Sequence, residues 1–183
     1  MPKRRAVLQA SLAGCLVAAT AGLATLAHER LAPGLADDAG WRPIAWPFPR
    51  DAWPAGRAWR RENTEVYVRP KLGFCGNCET GVTTDEEVDK VVDIDLLDDR
   101  FAPTQEGSPV RIGALSGRSR LYRYAVKSGA PRQAEGIAVS RKCDLVVAVI
   151  AGDLADESER VAALRFLDSN TVQDWVNRQL EGR

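Results

Sequence analysis

Three cysteines carry the clearest chemical potential in this chain. Cys75 and Cys78 are spaced Cys-x-x-Cys within Phe74-Cys75-Gly76-Asn77-Cys78, and Cys143 stands alone 65 positions beyond Cys78. Thiols at that spacing can exchange disulfides, bind a metal, or staple a fold. A structural disulfide is the leading reading. Joining Cys75 or Cys78 to Cys143 would close a loop of about 65 residues and contribute roughly 4 kcal/mol in the chain-entropy view. Three cysteines leave one over, either buried, free or paired between chains. Metal binding is one ligand short, because Cys75, Cys78 and Cys143 supply only three donors to a site that takes four.

What is missing narrows the chemistry further. The one histidine is His28, so nothing after it can form a Ser-His-Asp or Cys-His arrangement. Histidine-ligated metals and the commonest general base near neutral pH are lost with it. The sequence leans away from an enzyme, assigns no catalytic residue, and predicts no cofactor. Asp93-Ile94-Asp95-Leu96-Leu97-Asp98-Asp99 departs from a calcium loop, with Leu97 fifth and Asp98 where glycine is needed, and reads as a solvated helix end or loop. Gly113 to Gly117 matches no phosphate-binding glycine pattern.

Phe74-Cys75-Gly76-Asn77-Cys78 resembles a thioredoxin-type active site, which also sets an aromatic before Cys-Gly-x-Cys. That resemblance implies a redox pair, Cys75 and Cys78. It covers five residues, and Glu79-Thr80-Gly81 opens a helix poorly where such sites continue into one.

The chain begins with a different kind of signal. Lys3, Arg4 and Arg5 precede an uncharged run from Ala6 to Ala27, about 22 residues or roughly 33 Å as a helix. This is the layout of an export signal or membrane anchor, and the length would span a bilayer core. Arg4-Arg5-Ala6-Val7-Leu8 resembles the twin-arginine export motif, whose route carries proteins already folded. Cleavage fits after Ala21 or Ala27. Leu12-Ala13-Gly14-Cys15 resembles a bacterial lipobox, which would make Cys15 a lipidation site, although the apolar run continues well beyond it. The expected location is extracytoplasmic, where thiols oxidise.

Composition bounds the remainder. Without Lys3, Arg4 and Arg5 the 25 basic residues fall to 22 against 25 acidic, a net charge of −3. There is no basic surplus to support nucleic-acid binding. The division expected is a signal or anchor over 1–30, a Pro- and Trp-rich arm over 31–61, and one domain over 62–183. In the arm, prolines 33, 43, 47, 49 and 54 rule out a regular helix. Trp41, Trp46, Trp53 and Trp59 are too many large aromatics for a bare linker. They read as packing over the domain or as a partner-binding surface, for example within an envelope complex.

Periodicity then supplies the elements. Strands are predicted at Thr64–Arg69, Val110–Leu115, Leu121–Lys127, Ala134–Ser140 and Cys143–Ile150, the last apolar enough to be buried on both faces. Thr84-Asp85-Glu86-Glu87 is a capping box opening a short helix. Two helices close the chain, one with Val161, Leu164 and Leu167 inward, the other with Val172, Trp175, Val176 and Leu180. The fold class expected is α+β: an antiparallel sheet of four to five strands with two to three helices on one face. Trp46 to Trp175, above all Tyr67-Val68-Arg69-Pro70-Lys71-Leu72-Gly73-Phe74-Cys75 and Cys143-Asp144-Leu145-Val146-Val147-Ala148, is similar to small exported bacterial proteins of no known activity. The resemblance implies a recurring domain and no reaction. The function expected is a non-catalytic binding or accessory role in the cell envelope, with redox and metalloprotein roles as alternatives.

Overall fold

A computed structural model describes residues 34–49, 53–73, 81–152 and 154–181. Its second unit, Leu35–Arg183, contains every element below. An antiparallel sheet of eight strands dominates it, ordered β1-β2-β3-β8-β7-β6-β4, with β5 also paired to β6. The strands are β1 Arg42–Ile44, β2 Arg57–Arg61, β3 Thr64–Lys71, β4 Ala102–Pro103, β5 Ser108–Ile112, β6 Leu115–Tyr124, β7 Arg132–Arg141 and β8 Asp144–Gly152. Four helices are described: α1 Asp85–Val91, α2 Ile94–Leu97, α3 Glu157–Leu167 and α4 Asn170–Glu181.

The expected α+β class with an antiparallel sheet is what forms, but with eight strands where four to five were expected. The additional strands are short or proline-bearing. Arg42-Pro43-Ile44 pairs with Ala58–Arg60 although a proline sits at its centre, because β1 is the outermost strand and needs no second ladder. Pro70 extends β3 past the predicted end at Arg69. Pairing with β2 stops at Val68, so β3 has an open edge there, where proline is tolerated.

Helices cover both faces of the sheet, not one. Val66 and Val68 of β3, with Val146, Ala148 and Ile150 of β8, face α3 and α4. Tyr67, Val147 and Val149 point the other way, into a second core with Val88, Val91 and Val92 from around α1. Leu145 to Ile150 are accordingly all buried, as period-two alternation between two covered faces demands. In α4 the inward residues are those expected: Val172, Trp175, Val176 and Leu180. In α3 the stripe is rotated, with Ala163, Phe166 and Leu167 buried and Val161 only partly so.

The proline-rich segment belongs to the same unit. Trp41 stacks on Phe166 at 4.5 Å between ring centroids, and Trp59 meets both Phe166 and Trp175 edge-on. Both lie in the core under α3 and α4, at 1% and 3% exposure. Trp46 and Phe48 cross to the opposite face and pack on Tyr67. The segment thus clasps one end of the sheet from both sides.

Candidate functional site

The face under α1 is where polar chemistry gathers. Thr84 accepts from the backbone N–H of Glu87, and the Glu87 carboxylate accepts from the N–H groups of Thr83 and Thr84 at 2.7 and 2.9 Å. These bonds fix the start of α1 and hold the Glu87 carboxyl below its ordinary range. From α1, Asp85 and Asp89 reach the outward side chains of β6. Asp85 accepts from the backbone of Gly107 and from Arg118, which lowers its pKa in that order of importance. Asp89 accepts from Arg120 and from the Tyr122 hydroxyl. Burial, then that bond to a carboxylate, pushes the Tyr122 phenol well above its usual value.

Arg118, Arg120 and Tyr122 share this face because strand side chains alternate. Ser116 is next in the same series, and across the ladder Ser116 pairs with Ser140 of β7. Helix α1 begins at Asp85 and, among the described residues, no helix extends over that end of the sheet. The result is a hollow of about 470 Å³. Its polar lining is Thr83, Ser116, Ser140, Arg118 and Lys142, beside Gly81, Gly117, Pro109 and Ala114. No carboxylate is among these described lining residues.

Lys142 has an unusual backbone. It is the first of two loop residues joining β7 to β8, since Arg141 pairs with Asp144, and its φ is 55°. Non-glycine residues rarely adopt that region, which crowds Cβ against the backbone. Glu62, at the same place in the β2–β3 hairpin, has a φ of 50°.

The second loop residue is Cys143, which is disulfide-bonded. Cys75, Cys78, Cys15, Arg4 and Arg5 lie outside the described residues. The ends of the segment holding Cys75 and Cys78 are described. Gly73 donates its N–H to Asp144 at 2.7 Å, and a Cβ on Gly81 would collide with the Ser140 hydroxyl. Both ends therefore sit on the hairpin that carries Cys143.

Of the four tryptophans considered for partner binding, Trp41 and Trp59 are sealed in the core, while Trp46 and Trp53 are half-buried. Asp93, expected in a solvated stretch, is buried and pairs with Lys71 at 2.8 Å, with Arg69 3.5 Å away. Lys71 also donates to the carbonyl of Val91 at 2.6 Å. No spacing in the sequence brings these together, nor Ser116 with Ser140. Strand register does both.

Searches against protein-family models, characterised proteins and solved structures found no match. Among the described residues no helix is long and apolar enough to cross a membrane, and no group of three or more His, Cys, Asp or Glu is placed to hold a metal ion.

Proposed function

We propose that this chain is an exported, extracytoplasmic protein with a non-catalytic binding or accessory role in the cell envelope, and that it binds through the hollow at the Ser116–Ser140 end of the sheet. The observation carrying the binding role is the lining itself. Three hydroxyls and two cations converge on one concavity. No histidine or carboxylate among the described lining residues stands ready to activate a hydroxyl. A lining of that composition suits holding a polar ligand, which supports the binding reading. The export half rests on Arg4, Arg5 and the apolar run behind them.

Two measurements on the full chain in its host test this. Fractionation should recover the protein outside the cytoplasm, and the paired substitution Arg4→Lys, Arg5→Lys should retain it inside. In situ crosslinking from the rim of the hollow should capture a ligand or partner, and Ser140→Trp should abolish that capture. Cytoplasmic wild-type protein would overturn the address. Capture unaffected by a filled hollow would overturn the site.

We further infer that Cys143 pairs with Cys75 or Cys78 as a structural staple. Cys75 is two residues beyond Gly73, which is tied to Asp144, and Cys78 is three before Gly81, which abuts Ser140. Either span is within about 7–11 Å of extended chain. A disulfide-bonded Cys143 offers no thiolate to a metal, which counts against the three-cysteine metal reading. Peptide mapping under non-reducing conditions should find the Cys143 linkage and one residual thiol from the pair. A Cys75–Cys78 bond with a reducing-agent potential near roughly −120 to −230 mV would instead mark a thiol-exchange protein.

A further inference from the structure

We propose that the hollow between β6, β7 and the start of α1 is a site for a small organic oxyanion, one bearing a carboxylate or phosphate group. This rests on the reading of the hollow as the binding locus and names the ligand class.

Every charged side chain among the described lining residues is a cation, and the remaining polar side chains, Thr83, Ser116 and Ser140, are hydroxyls able to donate. Arg118 does not swing freely. Its Nε is held by Asp85 from the α1 side, and its Nη2 lies 3.6 Å from Glu106, which is 88% exposed on the rim. Asp85 and Glu106 both face Arg118, so the cation of the hollow with no described carboxylate beside it is Lys142. No carboxylate among the described residues lies within ion-pairing distance of Lys142. Glu87 nearby is committed to the backbone of Thr83 and Thr84. The pattern is one oriented guanidinium, one exposed ammonium and hydroxyls across a two-strand floor, which is how carboxylates and phosphates are held without a metal. A volume of about 470 Å³ is larger than a bare inorganic ion needs and falls within the range of small-molecule sites.

Lys142 stands at the first position of a two-residue hairpin loop, where tight turns call for a positive φ. Its left-handed φ of 55° is one that glycine would adopt without strain. A lysine there puts a cation on the edge of the hollow. Glu62 has a similar φ in the other two-residue hairpin and does not line the hollow, so the turn sets this backbone and the cation is what sets Lys142 apart.

The test is an NMR titration of the full chain, freed of its signal if the host cleaves it, at low salt. Inorganic phosphate, citrate and uncharged glycerol are the three probes. Saturable shifts at the amides of Ser116, Ser140 and Lys142 are expected with phosphate or citrate and not with glycerol. The stronger of the two anions identifies the group recognised. Lys142→Gln keeps the strained backbone and removes the charge, and Lys142→Gly removes both; each should weaken anion binding about tenfold or more. Glu62→Gly should leave binding unchanged. Absence of saturable shifts with both anions, equal response to glycerol, or affinity unaltered in both Lys142 variants would overturn the anion assignment. If the in situ crosslink persists in any of those cases, the binding role survives and only the ligand class falls.

Discussion

Glu135 of β7 and Arg160 of α3 meet in a two-pronged ion pair, Nε to Oε2 at 2.7 Å and Nη2 to Oε1 at 2.9 Å. The carboxylate is 1% exposed and the guanidinium 26%. Glu135 sits on the same face as Ile137 and Val139, so the sheet admits a charge there only because α3 supplies its counterpart. Burying a carboxylate alone is costly, and one bidentate partner satisfies both oxygens.

Arg160→Ala should therefore destabilise the domain by about 3–5 kcal/mol, because it strands a buried charge. Glu135→Gln in the same background should recover part of that loss, since a neutral amide is cheaper to bury than an ion. Urea unfolding of the two variants and wild type measures both. A loss near zero for Arg160→Ala would mean the carboxylate finds water or another partner.

Lys142→Gly and Glu62→Gly should each stabilise the fold by about 0.5–1 kcal/mol, since both positions hold a positive φ that glycine adopts freely. The two gains should add, the sites lying on separate hairpins. Thermal unfolding of the single and double variants decides this. A loss of stability at either site would show that its side chain contributes more than its backbone costs.

Gly117→Ala should cost about 1–3 kcal/mol. A Cβ at Gly117 would strike the carbonyl of Ala138 and come within 2.7 Å of the Val139 Cα. Both are backbone atoms of the paired strand β7 and cannot swing aside. Denaturant titration reads the cost, and a neutral outcome would require β6 and β7 to separate locally.

The pH dependence should have two limbs. The carboxyls of Asp85, Glu87 and Asp156 are held low by hydrogen bonds made only in the folded chain. Their stabilisation is present above the ordinary carboxylate range, near pH 4, and is lost as pH falls through their folded values. Tyr67 and Tyr122 are shifted upward by burial and by donating to Glu65 and Asp89. Their contribution is complete below about pH 10 and is lost as pH rises beyond it. Melting temperature across pH should show a plateau between those limits. A Tyr67→Phe, Tyr122→Phe double variant should flatten the alkaline limb; an unchanged limb would assign it to other groups.

Local patterns were legible where a short stretch contains its own cause. The capping box at Thr84 and Glu87 forms as read, because both partners lie within one turn. The apolar stripe of α4 was readable because helical periodicity decides which side chains share a face. The central strand β8 announced itself because burial on two faces leaves no polar positions. The rotated stripe of α3 was harder, since Ala163 is small enough to be overlooked and Val161 lies partly outside the seam. Strands β1 and β4 were hidden by their prolines, which are tolerated there because each lies at an edge of the sheet.

By itself the sequence determined the α+β class, the closing helices, and a histidine-free domain whose chemistry must come from thiols, carboxylates, hydroxyls and cations. Tertiary structure alone decided that Trp41 and Trp59 are core, that Lys71 pairs with Asp93, and that Ser116 lies beside Ser140 with Arg118 and Lys142 around them. The reason is the range of the forces involved. Periodicity and capping act over a few residues, whereas a site on a sheet is assembled by strand order and register, which join positions far apart in sequence and follow from packing the whole domain.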